Sequence, residues 1–297
     1  CCGSGGMFVQ SAKFIQAHSA KRGSVSIYGQ EANPDTWKMA IMNITIRGLD
    51  ADLGGYHADT FTNDLHPTLK ADFILANPPF NYNPWGQDKL MDDVRWKYGI
   101  PPASNANFAW IQHMIHHLAP NGKIGLVLAN GALSSQSGGE GEIRKKIIEN
   151  DLIEGIIAMP PQLFYSVTIP ATLWFISKGK KQKGKTVFID ARKMGHMVDR
   201  KHRDFTEKDI QKLADTFEAT LEDEKGFCSV ATIQDIARQD YVLTPGRYVG
   251  IEEQEDDGEP FEEKMTRLTS ELSDMFERSH ELEDEIRRKL GAIGYEI

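Results

Sequence analysis

Apolar positions in the first 190 residues follow two rhythms. Short apolar runs at 24–28, 71–76, 123–129, 153–159 and 172–177 predict strands, while 7–20, 34–48, 105–118 and 140–150 carry the three-and-four spacing of helices. Pro34 suits a first helical turn and Gly48 a helix end. Such alternation predicts an α/β fold with a largely parallel sheet and helices on both faces. A strand at 187–190 and a helix near 207–220 extend the same domain. Residues 81–104 mix Gly, Pro, Asn and aromatics without a period and predict a long mobile loop; 131–141 predict a second. The Lys/Gly-rich stretch 178–185 predicts a turn, read either as a solvated hairpin tip or as a phosphate contact.

A different rhythm takes over at the end. Phe261, Met265, Leu268, Leu272, Met275, Ser279, Leu282 and Ile286 alternate spacings of four and three among charged residues, which is a heptad seam. So narrow a stripe wants a second helix, and packing back on the body or against another chain are equally open. The expected organisation is a body at 1–251, an acidic linker at 252–260 containing Gly258 and Pro260, and a coiled-coil-like helical tail at 261–297.

The formal net charge is −9, which argues against a strong grip on nucleic acid until its distribution is considered. Residues 252–297 hold 16 acids and 6 bases, leaving 27 acids and 28 bases for a neutral body. That body can touch DNA locally, but strong binding calls for a partner. No apolar run reaches the ~20 residues of a membrane span. Cys1, Cys2 and Cys228 form neither a disulfide framework nor a spaced metal-ligand set, so no metal and a reducing, cytoplasmic setting are expected.

Three motifs carry chemistry. The chain opens on Cys2-Gly3-Ser4-Gly5-Gly6, a turn that runs directly into a helix, with a first strand expected upstream. Alone, this loop fits dinucleotide or phosphate binding equally well. Glu31, just past the second strand, is placed to accept ribose hydroxyls or to cap the helix at Pro34. The strand 71–76 ends in Asn77-Pro78-Pro79-Phe80, at the edge where open α/β sheets bind ligands. The Asn77 side-chain oxygen and the Pro78 carbonyl are two acceptors for the hydrogens of a planar amine, and Phe80 can stack on the ring that bears it. An isolated tetrapeptide of this kind also fits a strand closed by prolines over a buried Phe.

In this order the motifs resemble the N6-adenine DNA methyltransferases, and more closely the methylation subunit of type I restriction-modification systems. The opening loop is similar to the family's S-adenosyl-L-methionine loop. Gly29-Gln30-Glu31 with Ala40-Ile41-Met42-Asn43 resembles its second segment, and Ala58-Asp59-Thr60-Phe61 the segment that meets the cofactor adenine. Segments 122–131, Ile143-Arg144, 160–169 and 243–250 match later family segments. The resemblance implies a Rossmann-like methyltransferase fold with Cys2, Gly3, Ser4, Gly5, Gly6, Glu31, Asp59 and Phe61 at the cofactor. It implies Asn77, Pro78, Pro79 and Phe80 at an adenine flipped out of the duplex.

It also implies double-stranded DNA, a DNA-specificity subunit, a nuclease subunit and a second methylation subunit as partners, with the heptad helix gripping the specificity subunit. His113, His116 and His117 lie on a helix packed in the sheet layers and are expected to be structural. Two alternatives remain open: a protein glutamine-amide methyltransferase, whose nitrogen needs the same acceptors, and a non-catalytic scaffold that keeps the fold.

Overall fold

The computed structural model describes residues 1–18, 25–164, 169–219, 223–251, 261–292 and 295. Two compact units emerge, Cys1–Glu252 and Glu253–Ile297. The linker expected at 252–260 lies outside the described residues, as do 19–24 at the join of the first helix and second strand and 165–168 within the segment 160–169.

In the first unit, α1 (Gly6–His18) leaves the glycine turn. Next in the chain come β1 (Ile27–Tyr28), α2 (Pro34–Ile46), β2 (Ala51–Asp52) and β3 (Ala71–Ala76). A long connection leads to α3 (Asn107–His117), β4 (Leu118–Ala129), α4 (Glu140–Glu149), β5 (Ile153–Ala158), β6 (Ala171–Ser177) and β7 (Lys185–Asp190). The pair β8 (His196–Met197) and β9 (Arg203–Asp204), α5 (Glu207–Ala219), β10 (Cys228–Thr232) and α6 (Ile233–Arg238) complete it. In the second unit, α7 (Phe261–Ala292) is a single helix.

Six strands form the main sheet in the order β10-β7-β5-β6-β4-β3, and β1 and β2 form a separate parallel pair. The sheet is mixed rather than largely parallel. Only β3–β4 and β5–β7 pair parallel, whereas β6 lies antiparallel between β4 and β5. The reason lies in the connection: no helix among the described residues links β5 to β6, and a parallel neighbour needs a crossover.

Alternating strand positions feed two cores. Ile124, Leu126 and Leu128 of β4, Trp174 and Ile176 of β6 and Phe188 of β7 meet α3 and α4 on one face. Ile157, Leu173, Phe175, Val187 and Ile189 meet Leu213 and Phe217 of α5 on the other. Each fully buried side chain of this size contributes about 1.5–3 kcal/mol. A third cluster, Ala40, Ile44 and Leu53, joins α2 to the β1–β2 pair.

Other expectations are corrected here. Residues 81–104 pack rather than float: Trp85, Trp96 and Tyr98 enter the core, and the Trp85 and Gln87 side chains donate to the carbonyls of Pro102 and Pro101. Aromatic burial replaced the regular period that would have announced order. The turn at 178–184 is no hairpin tip, because β5 lies between β6 and β7. Its Lys180 is buried against the Asp151 carboxylate, which also accepts from the Gly184 N–H, so this amine is committed internally. Short elements went unseen, among them β10 and α6, the latter started by a capping box between Thr232 and Asp235.

Candidate active site at the carboxyl edge of the sheet

The glycine turn is built for close backbone approach. Gly3 and Gly5 have φ of 57° and 76°, and Gly5 sits 3.6 Å, measured from an ideal Cβ, from Ala40 on α2. Gly3 and Gly6 face open space. The Gly3 N–H donates to Glu31 Oε2 at 2.9 Å and the Cys2 N–H to the Gln30 carbonyl at 2.9 Å. The Ser4 carbonyl accepts from the Asn43 side chain at 2.8 Å, so α2 also steadies the turn. Burial pushes the Cys2 thiol pKa up, leaving it a neutral side chain rather than a nucleophile.

Glu31 does not cap α2. Asn33 does, accepting from the N–H groups of Asp35 and Thr36. The Glu31 carboxylate takes one N–H on each oxygen, from Gly3 and Asn33, which leaves each oxygen a further lone pair. The Glu31 carbonyl accepts from the Ala58 N–H at 3.0 Å, bringing the segment 58–61 beside the turn. Asp59 Oδ1 is filled by the N–H groups of Phe61 and Thr62 and by the Thr62 hydroxyl; Oδ2 has no partner among the described residues. Phe61 is 1% exposed and packs its ring on Trp85 and Trp110, so the ring belongs to the core.

The tetrapeptide follows β3 immediately. Asn77 and Pro79 are exposed, Pro78 is buried and Phe80 half-buried. Neither the Asn77 carboxamide nor the Pro78 carbonyl has a hydrogen-bond partner among the described residues. Asn81 turns the chain with φ of 52°, and its side chain accepts from Asn107 Nδ2 at 2.9 Å while its N–H donates to Asn107 Oδ1. Asn107 is 3% exposed at the start of α3 and thereby locks the turn behind Phe80.

Three buried polar residues do work for which the sequence carries no sign. Gln30 donates to the Ala58 and Asn63 carbonyls and accepts from the Leu65 N–H, tying β1 to the segment 58–65. Asn107 fixes the turn after Phe80. Arg95, 7% exposed, donates to the carbonyls of Thr60 at 3.1 Å and Phe61, and is held by both oxygens of Asp93. All three are buried and spend their polar atoms on other parts of the chain, where a letter in the sequence gives no sign of its partner.

Asp64, His113 and His117 bring potential metal donors together among the described residues. Their bonding argues for a proton network. His117 has two acceptors as partners, the Leu69 carbonyl at 3.0 Å and Asp64 Oδ2 at 2.8 Å. His113 Nδ1 lies 3.1 Å from Arg95 Nη1, which places a cation where a metal would add a second. Burial, then the neighbouring His117 and Arg95, lower the His113 pKa and keep it neutral. Burial alone would raise the Asp64 carboxyl pKa, yet the His117 hydrogen bond and the His66 N–H outweigh it and hold Asp64 well below the usual range.

With this geometry described, known proteins offer a comparison. The sequence profile of the family described as "N-6 DNA Methylase" matches residues 1–257. The type I restriction enzyme HindI methylase subunit of Haemophilus influenzae is 57% identical over 99% of this chain, which spans 68% of that protein. The MjaIX methylase subunit of Methanocaldococcus jannaschii is 43% identical over 99% of this chain and is spanned over 55% of its length. Among solved structures, a type I restriction-modification methyltransferase subunit from Streptococcus thermophilus superposes with a TM-score of 0.76 and 29% identity. That match covers 84% of this chain and 53% of the other.

Proposed function

The chain belongs to the N-6 DNA methylase family, and on that footing we propose that it is the catalytic part of a type I restriction-modification methylation subunit. In this reading it transfers a methyl group to N6 of an adenine flipped from double-stranded DNA. What carries the reading is the pair of unpartnered acceptors, the Asn77 carboxamide and the Pro78 carbonyl, at the carboxyl end of β3 beside the half-buried Phe80.

The residues fit S-adenosyl-L-methionine: an open positive-φ glycine turn for close approach, spare Glu31 lone pairs for ribose hydroxyls, and a free Asp59 Oδ2 for an adenine amino group. When bound, this cofactor supplies an electrophilic methyl group. Asn77 and Pro78 accept the two N6 hydrogens, which localises the nitrogen lone pair and aims it for in-line attack. Pro79 lacks an N–H and so cannot compete for these acceptors. Phe80 stacks on the base and offsets part of the few kcal/mol spent on leaving the duplex. The proton departs to solvent once N6 is methylated, so no histidine is required. Phe61 acts from behind, setting the backbone of 59–61 through its buried ring.

In this reading the protein works with DNA in the cytoplasm. Among the described residues no helix is long and apolar enough to cross a membrane. Partners in this reading are a DNA-specificity subunit, a nuclease subunit and a second methylation subunit. The test is Asn77→Ala in the complete methylation complex: methylation falls at least about 10²-fold while S-adenosyl-L-methionine affinity is unchanged. Near-normal methylation by this variant refutes the assignment.

A further inference from the structure

A cavity of about 240 Å³ opens at the same edge of the sheet, lined by Asn130, Ser134, Ala158, Arg192, Thr244 and Gly246 among others. It gathers two segments that the catalytic motif leaves without a role, the end of β4 and the stretch 243–250. Ala76 pairs with Leu126, so Asn77 emerges beside Val127, and Asn130 follows three residues later, just past the end of β4, as the first residue of a 3-10 turn. The segments at Asn77 and Asn130 thus leave the sheet at the carboxyl ends of adjacent parallel strands.

Three observations describe what the cavity wants. Asn130 Oδ1 is buried with no hydrogen-bond partner, and a buried acceptor left so costs about 1–3 kcal/mol until a donor arrives. Arg192 is half-exposed but not loose: its Nε and Nη2 are both held by the Asp190 carboxylate, with Nη2 at 2.6 Å from Oδ2. Nη1 has no partner among the described residues. A Cβ on Gly246 would come within 3.2 Å of Arg192 Nη2, so the absence of a side chain there leaves room for this orientation. A fixed guanidinium suits a phosphate, and an unmet amide oxygen suits the exocyclic amine of a base. The hydroxyls of Ser134 and Thr244 add neutral contacts.

We propose that this cavity is a nucleotide subsite for the residue of the DNA strand next to the flipped adenine, with Arg192 on its phosphate and Asn130 on its base edge. The proposal rests on the reading of the chain as a DNA methyltransferase and adds a contact that the catalytic motif does not supply.

The test uses the complete methylation complex and a duplex bearing the sequence that methylome sequencing of the host identifies. Arg192→Gln weakens duplex binding by about tenfold or more and reduces the slope of log affinity against log salt by about one, with S-adenosyl-L-methionine affinity unchanged; losing the ion pair to Asp190 lowers the Tm, so binding is read well below it. Asn130→Ala raises KM for DNA without altering that slope. Wild-type DNA affinity and salt slope in Arg192→Gln overturn the subsite. Failure of the underlying reading shows differently: Asn77→Ala keeps its methylation, whatever Arg192 does.

Discussion

At the scale of single residues, the candidate site is held by buried side chains that bond other parts of the chain. Arg95 is the clearest. One guanidinium bridges the carbonyls of Thr60 and Phe61 and a carboxylate, a geometry that a point-charge amine cannot reproduce. Arg95→Lys is therefore expected to lower S-adenosyl-L-methionine affinity roughly tenfold, about 1.4 kcal/mol, at little cost in Tm, as calorimetry and thermal melts would measure. Arg95→Gln leaves Asp93 uncompensated and costs on the order of 3 kcal/mol of stability as well. Equal cofactor affinity in Arg95→Lys and wild type would show that the clamp is structural only. Asn107→Ala frees the turn after Phe80, and kcat should fall about tenfold or more while the KM for S-adenosyl-L-methionine stays constant.

Among the described helices, α3 and α7 are opposites in burial. In α3 nearly every residue is buried, and His117 ties its end to the segment 64–69. By contrast, α7 extends over 32 residues, about 48 Å, with no residue buried. Its ion pairs Arg267–Glu271, Arg287–Glu283 and Lys289–Glu285 are solvent-exposed and contribute little. Leu268, Leu272 and Met275 stay exposed on the seam. A stripe of this kind needs a helical partner, and the specificity subunit is the proposed one. Leu268→Glu with Leu272→Glu should abolish pull-down of that subunit and leave the Tm of the first unit unchanged. Undiminished pull-down would assign the seam to another use.

For the molecule as a whole, pH and salt reveal how the charges are arranged. Asp64 and Asp93 both have folded pKa values below their ordinary ones, each held down against burial by His117 or Arg95. A depressed carboxyl contributes stability above its unfolded pKa, near 4, and loses it as pH falls toward the folded value. Denaturant midpoints should thus drop steeply below about pH 4, and Asp64→Asn should flatten part of that decline. A second expectation follows from the neutral body: the chain alone binds duplex DNA at or beyond the weak end of the ~10⁻⁴–10⁻⁶ M non-specific range, and the full complex far more tightly. Gel shifts at two salt concentrations would decide it.

Much of this was legible from residue order alone. Strand and helix periods located β3, α2 and α4 to within a residue or two of their ends, and the first residue of α7, because apolar spacing is a local property that burial on one face imposes. Asn77 through Phe80 was legible as a candidate site, and the fold leaves its two acceptors without partners among the described residues. Strand direction, the packing of 81–104, the commitment of Lys180 to Asp151 and the clamps from Gln30, Arg95 and Asn107 were decided only by the tertiary structure. Each depends on hydrogen bonds or ion pairs between residues far apart in the chain. A buried polar side chain has the same letter as an exposed one, and only the fold determines which partner it meets.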